Sequence, residues 1–80
     1  MDNNLDTIKK MHKEQGHEKI GKLQDKIETT KYNIEVSEEI IAQTPSNAQR
    51  ETLTEKNVRR KHGIAGIQKE IRDIEQALEE

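Results

Sequence analysis

The sequence predicts an all-α protein: an antiparallel helical hairpin, coiled-coil-like, with a short N-terminal helix and the capacity to dimerise into a four-helix bundle. Two observations carry this. Before the chain's one break, Thr44-Pro45-Ser46-Asn47-Ala48-Gln49, the residues Ile20, Leu23, Ile27, Thr30, Ile34, Ser37 and Ile41 are spaced alternately three and four apart and line one face of a helix. After it, Leu53, Asn57, Arg60, Ile64, Ile67, Ile71, Ile74 and Leu78 keep the same spacing. Folding at the break sets Ile41 opposite Leu53, Ile34 opposite Arg60, Ile27 opposite Ile67, Leu23 opposite Ile71 and Ile20 opposite Ile74. Each pair of numbers sums to 94, so one register satisfies every rung.

Taken in order, residues 1–16 read as a separate piece, a short helix or a frayed segment. Asp2, Asn3 and Asn4 are good N-cap residues, and Leu5, Ile8 and Met11 form a short apolar stripe, but Gly16 interrupts it and the spacing slips relative to Ile20. A helix of this length is marginal alone in water. It either frays or packs across the hairpin, where Val36, Ile40 and Val58 are left outside the seam. Residues 17–80 form the hairpin, with the turn at 44–48. The first long helix runs from about His17 to Gln43 and stops at Thr44, because the residue before a proline is pushed out of the helical region. Ser46 followed three residues later by Gln49 reads as a capping box that starts the second helix, which continues to about Leu78 and is weakened at Gly63 and Gly66.

The flanking charges specify the pairing weakly: Lys26 is expected to face Glu70 and Lys31 to face Lys61. Register therefore rests on the isoleucines. The seam half nearest the turn carries Thr30, Ser37, Asn57 and Arg60, so opening is expected to begin there unless a partner covers it.

Composition bounds the function. Of 80 residues, 29% are hydrophobic and 38% charged, with one Tyr and neither Phe nor Trp, which is too little apolar material for a deep globular core. A formal net charge of −2 lacks the basic excess that phosphate binding requires, so nucleic acid is not an expected partner. The absence of Cys removes disulfides and thiolate zinc sites and fits a reducing interior. No apolar run reaches six residues, so neither a signal peptide nor a membrane span is expected, and the protein reads as cytoplasmic.

No residue pattern predicts catalysis, a cofactor or a metal. His12 and His17 are five apart rather than at the i, i+4 spacing that puts two imidazoles on one face, and His62 has no partner in sequence. The paired carboxylates Glu38-Glu39 and Glu79-Glu80 lack the burial that raises a catalytic pKa. Arg59-Arg60-Lys61-His62 is the only basic cluster; it reads as a solvated turn of helix, with Arg60 laying its stem along the seam and its guanidinium in water. The candidate interaction residues are Ile34, Ile40, Asn57, Arg59 and Arg60, and the expected partner is a second copy of the chain or a helical protein.

Read as a string, Lys22-Leu23-Gln24-Asp25, then Ile27, Thr30 and Asn33, then Glu39-Ile40-Ile41-Ala42 with Thr44, then Leu53-Thr54-Glu55-Lys56-Asn57-Val58-Arg59-Arg60, and finally Glu70-Ile71-Arg72-Asp73, resembles the small acid-soluble spore protein Tlp family. The Glu-Lys-Asn-x-Arg-Arg block is the most specific part, because Asn and Arg at seam positions are not what a helix optimised for stability would choose. The resemblance covers residues 22–73. It implies a non-enzymatic protein of the spore core, made in the forespore, with no catalytic residues to carry over; the family is distinct from the spore proteins that coat DNA, so DNA binding does not follow from the resemblance. The competing reading from the periodicity alone is a coiled-coil adaptor or regulator that docks a partner helix.

Overall fold

The computed structural model describes the backbone of residues 2–79 and the side chains of residues 7–79. It holds two helices, Asp2–Gln43 (α1, 42 residues) and Asn47–Glu79 (α2, 33 residues), packed against each other, with no strand among the described residues. The antiparallel hairpin read from the periodicity is the observed fold. The molecule measures 69 × 15 × 13 Å and its radius of gyration is 19.0 Å, against about 12 Å for a compact domain of this length. It is a rod, one helix wide in each layer.

Among the described residues the core is the seam and nothing else. Ile20, Ile27, Ile34, Ile64 and Ile71 form its buried cluster, with Leu23, Ile67, Ile74 and Leu78 packed against it. Every one of these residues belongs to the three-and-four pattern. None reaches full burial, because each isoleucine touches only one neighbouring helix and its outer edge stays wet. The register of 94 is visible at the open end, where Leu78 of α2 stands against Gly16 of α1.

Gly16 does not interrupt the helix: α1 runs through it without a break. The reason for the glycine is the close approach of Leu78, since a Cβ at residue 16 would stand 2.8 Å from Leu78 Cδ2. Consequently the first fourteen or so residues of α1 project beyond the end of α2 and do not fold across the hairpin. Ile8 and Met11 are half-exposed there, at 50% and 51%. The expected cap residues Asp2, Asn3 and Asn4 and the stripe residue Leu5 have side chains outside the described set.

The turn is built from hydrogen bonds rather than from glycine, and no described residue takes a positive φ. Thr44 N–H still bonds to Ile40 O at 2.8 Å, after which Pro45 ends the helix. Half of the expected capping box forms: Gln49 N–H donates to Ser46 Oγ at 3.2 Å. The reciprocal half does not, because the Gln49 side chain turns to Thr44, whose Oγ1 donates to Gln49 Oε1 at 2.6 Å and accepts from Ser46 N–H at 3.2 Å. Arg50 closes the turn from the other side. Its guanidinium donates to Thr44 O at 2.8 Å, to Ile41 O at 3.4 Å and to Asn47 Oδ1 at 3.1 Å. The last carbonyls of α1 have no helical donor and form the negative end of its dipole, so a cation from α2 satisfies them on both counts. Replacing Ser46 with Ala is expected to cost about 1 kcal/mol, read as a lower thermal midpoint with unchanged helicity at low temperature.

Candidate interaction site

Three polar side chains meet inside the seam. Ser37 and Asn57 are each only 5% exposed, deeper than any isoleucine of the core, and Arg60 is half-buried beside them. Arg60 NH1 donates to Ser37 Oγ at 2.8 Å across the hairpin and to Asn57 Oδ1 at 2.8 Å one turn back on its own helix. The geometry follows from the register: 37 and 57 sum to 94, so these two residues face each other. A helical side chain leans towards its own N-terminus, which carries the Arg60 head from its own rung, opposite Ile34, to the Ser37–Asn57 rung.

One nitrogen of the guanidinium, NH1, is thus taken by two neutral oxygens of the seam, where the sequence suggested that the head lies in water. No buried side-chain nitrogen or oxygen among the described residues lacks a hydrogen-bond partner, so the layer is complete. Completeness matters because an unsatisfied buried group costs about 1–3 kcal/mol, whereas a satisfied one costs little. Thr30, the other polar residue of this half, spends its hydroxyl on Lys26 O at 2.8 Å and leaves its methyl for the seam.

The sequence-derived candidates divide accordingly. Asn57 and Arg60 come together, and Ile34, 9% exposed, is a core residue on the neighbouring rung. Ile40, 39% exposed, and Arg59, fully on the surface, lie on the outer flank and take no part in the layer. Ser37 and Arg50 were not among the candidates. Ser37 could have been found from its complement to Asn57 in the 94 register; Arg50 carries no signal in spacing, since its role depends on the direction of a long side chain.

The flanking charges also differ from expectation. Glu70 pairs with Lys19 at 3.4 Å, not with Lys26, and Lys31 pairs with Glu28 at 4.0 Å on its own helix. In an antiparallel pair the residues just outside the seam meet across it with an offset, and 19 and 70 are such a pair. Both bridges are exposed and worth little to stability.

Two shallow hollows lie at the open end. One, of about 520 Å³, is lined by Ile8, Lys9, His12, Lys13, Ala77 and Leu78, and the other by Lys13, His17, Ile20, Glu75, Leu78 and Glu79. Every titratable side chain on their walls is exposed. No three His, Cys, Asp or Glu side chains converge as metal ligands among the described residues, and no helix is long and apolar enough to cross a membrane.

Replacing the whole layer by apolar residues, as Ser37→Ile with Asn57→Leu and Arg60→Leu, is expected to raise the thermal midpoint and to populate additional oligomers. A buried polar layer of this kind lowers stability and fixes pairing. Circular dichroism melts and sedimentation velocity on the triple variant check both halves of that expectation.

Comparison with known proteins adds an independent line. Residues 11–80 match the family described as "Small, acid-soluble spore protein Tlp". The chain is 41% identical over 54 residues to a "Protein Tlp homolog" of Clostridium botulinum (strain Okra / Type B1), covering 68% of this chain and 72% of that protein. It is 43% identical over 60 residues to the "Small, acid-soluble spore protein Tlp" of Geobacillus sp. (strain WCH70), covering 75% of this chain and 77% of that protein. No solved structure matches it.

Proposed function

Since the chain belongs to the small acid-soluble spore protein Tlp family, we propose that it is a non-enzymatic protein of the spore core, made in the forespore. The observation that carries this reading is the match over residues 11–80, which includes the Glu55-Lys56-Asn57-Val58-Arg59-Arg60 block that supplies two of the three polar-layer residues.

The physical chemistry of the chain supports it. Below the carboxylate pKa range the acids are neutral, and fourteen Lys and Arg with three protonated His leave a net charge of about +17. A chain so charged, 29% hydrophobic and without Phe or Trp, repels its own copies and has little apolar surface to aggregate through, which accounts physically for solubility in acid. The absence of catalysis is proposed on the same footing. A two-helix rod whose described acids and histidines all lie exposed to water offers little shelter for proton-transfer chemistry.

A sporulation time course tests the reading. Antibody to the chain should find it in the forespore late in sporulation and should lose it on germination. Detection in growing cells, bound to a helical partner, would overturn the spore-core reading in favour of an adaptor that docks through the hairpin.

A further inference from the structure

Charge is sorted around α1. On the flank that faces the same side as the Lys19–Glu70 pair, no Asp or Glu occurs at any flank position between Ile8 and Gln43. Lys22 and Lys26 stand on this flank from α1, and Lys56 and Arg59 from α2. Lys26, Lys56 and Arg59 have no ion pair among the described residues, and Lys22 has only an exposed one with Glu18 at 3.6 Å. Between the two cationic pairs lie Gly63 and Gly66, where an added Cβ would meet nothing within 4 Å. The α2 side of this flank is bare backbone at its centre, with Lys56 and Arg59 at the end nearest the turn; at the other end Lys22 and Lys26 stand with Asp73 and with Glu70, which Lys19 holds, so from Lys19 to the turn the flank carries five cations against two acids.

The back of α1, away from the seam, has the opposite character. Asp25, Glu28, Glu35 and Glu39 line it, with Tyr32 at the centre. Tyr32 is 65% exposed, the most exposed large apolar side chain among the described residues. The two patterns are similar in length. On the scale of α1 residue levels, the 94 register puts the flank cations at 22, 26, 35 and 38 and the two glycines at 28 and 31. The acids stand at 25, 28, 35 and 39 around the ring at 32. Both rows span roughly 20–24 Å at about 1.5 Å per residue, with a knob in one and a gap in the other.

We propose that the glycine-centred basic flank of one copy receives the acidic back of α1 of a second copy, with Tyr32 seated over Gly63 and Gly66. A net positive flank and an acidic back of similar length argue for this occupant, and both halves of the contact are on the same chain. A net charge of −2 and a single aromatic residue argue against a nucleic acid in its place. The contact joins two different surfaces, so it is heterologous, and each bound copy still offers a free flank and a free back. Association is therefore open-ended, growing with concentration, and salt weakens it, since the charges are exposed and screened.

Sedimentation velocity over a concentration series at low and high salt, with circular dichroism to confirm that each variant stays helical, tests this. The wild-type chain should form species that lengthen with concentration at low salt and dissociate at high salt. Lys26→Glu with Arg59→Glu, and separately Glu28→Lys with Glu35→Lys, should each weaken association about tenfold or more. All four changes in one chain keep the wild-type net charge and should restore it. Tyr32→Ala alters no charge and should still lower it. A wild-type chain that stays monomeric throughout, a quadruple variant that does not recover, or association indifferent to Tyr32→Ala would overturn the proposal.

Discussion

Ile27→Asp is expected to unfold most of the hairpin. Ile27 is the most buried apolar residue of the seam, 7% exposed, and sits in the distal half opposite Ile67 with isoleucines on the adjoining rungs. An Asp there loses the transfer free energy of the isoleucine and puts a carboxylate into the apolar seam. Leaving a buried charge unpaired costs about 3–5 kcal/mol. Domains of this size hold roughly 4–12 kcal/mol in all, and a seam only one residue thick places this one at the low end. The far-ultraviolet signal at 222 nm should fall by more than half at 25 °C. Ile8→Asp on the same helix is the control: residue 8 is half-exposed beyond the end of α2, and its replacement should leave the melt nearly unchanged. Equal loss of helicity in both variants would mean that helix propensity, not the seam, holds the fold.

Removing three glycines should act in the opposite direction and nearly as strongly. Gly21, Gly63 and Gly66 lie inside helices, and a Cβ at any of them meets nothing within 4 Å. Each Gly→Ala change then gains about 0.8–1 kcal/mol of helix propensity at no steric cost. Gly21→Ala, Gly63→Ala and Gly66→Ala together should add about 2–3 kcal/mol, or roughly 10–20 °C in the thermal midpoint for a domain of this size. Gly16 differs. There a methyl must displace Leu78, so Gly16→Ala should gain less than any of the other three. The glycines that stability would discard at 63 and 66 are those that form the floor of the basic flank. The stabilised variant should accordingly self-associate less readily than the wild-type chain.

The contrast among these glycines marks what the sequence could and could not express. Seam, register and break were all legible, because they depend on the spacing of short, apolar side chains along a regular helix, and spacing is written in the sequence. Gly16 read as a breaker, since a glycine between two apolar stripes that are out of step has that meaning locally. Its actual part, giving room to Leu78, depends on a residue sixty-two positions away. The cap at Ser46 was legible for the same local reason, whereas the turn of Gln49 towards Thr44 was not, because both partners satisfy hydrogen-bonding rules equally well. The long cations were hardest. Arg50 and Arg60 each reach a full helical turn or more from their own Cα, so the register places their backbones and leaves their heads undetermined. The polar layer was visible as Ser, Asn and Arg at seam positions; that the Arg60 head joins the Ser37–Asn57 rung rather than its own was not.

The hairpin and its register rest most directly on one measurement. The chain has no cysteine, so introduced pairs report cleanly. Leu23→Cys with Ile71→Cys places a thiol on each side of one rung of the 94 register; Leu23→Cys with Leu78→Cys is one heptad out of step. Under mild oxidation in dilute solution, the first pair should close an intramolecular disulfide at monomer mass and the second should not. Equal closure of both pairs, or a first pair that links only between chains, would contradict the hairpin as described.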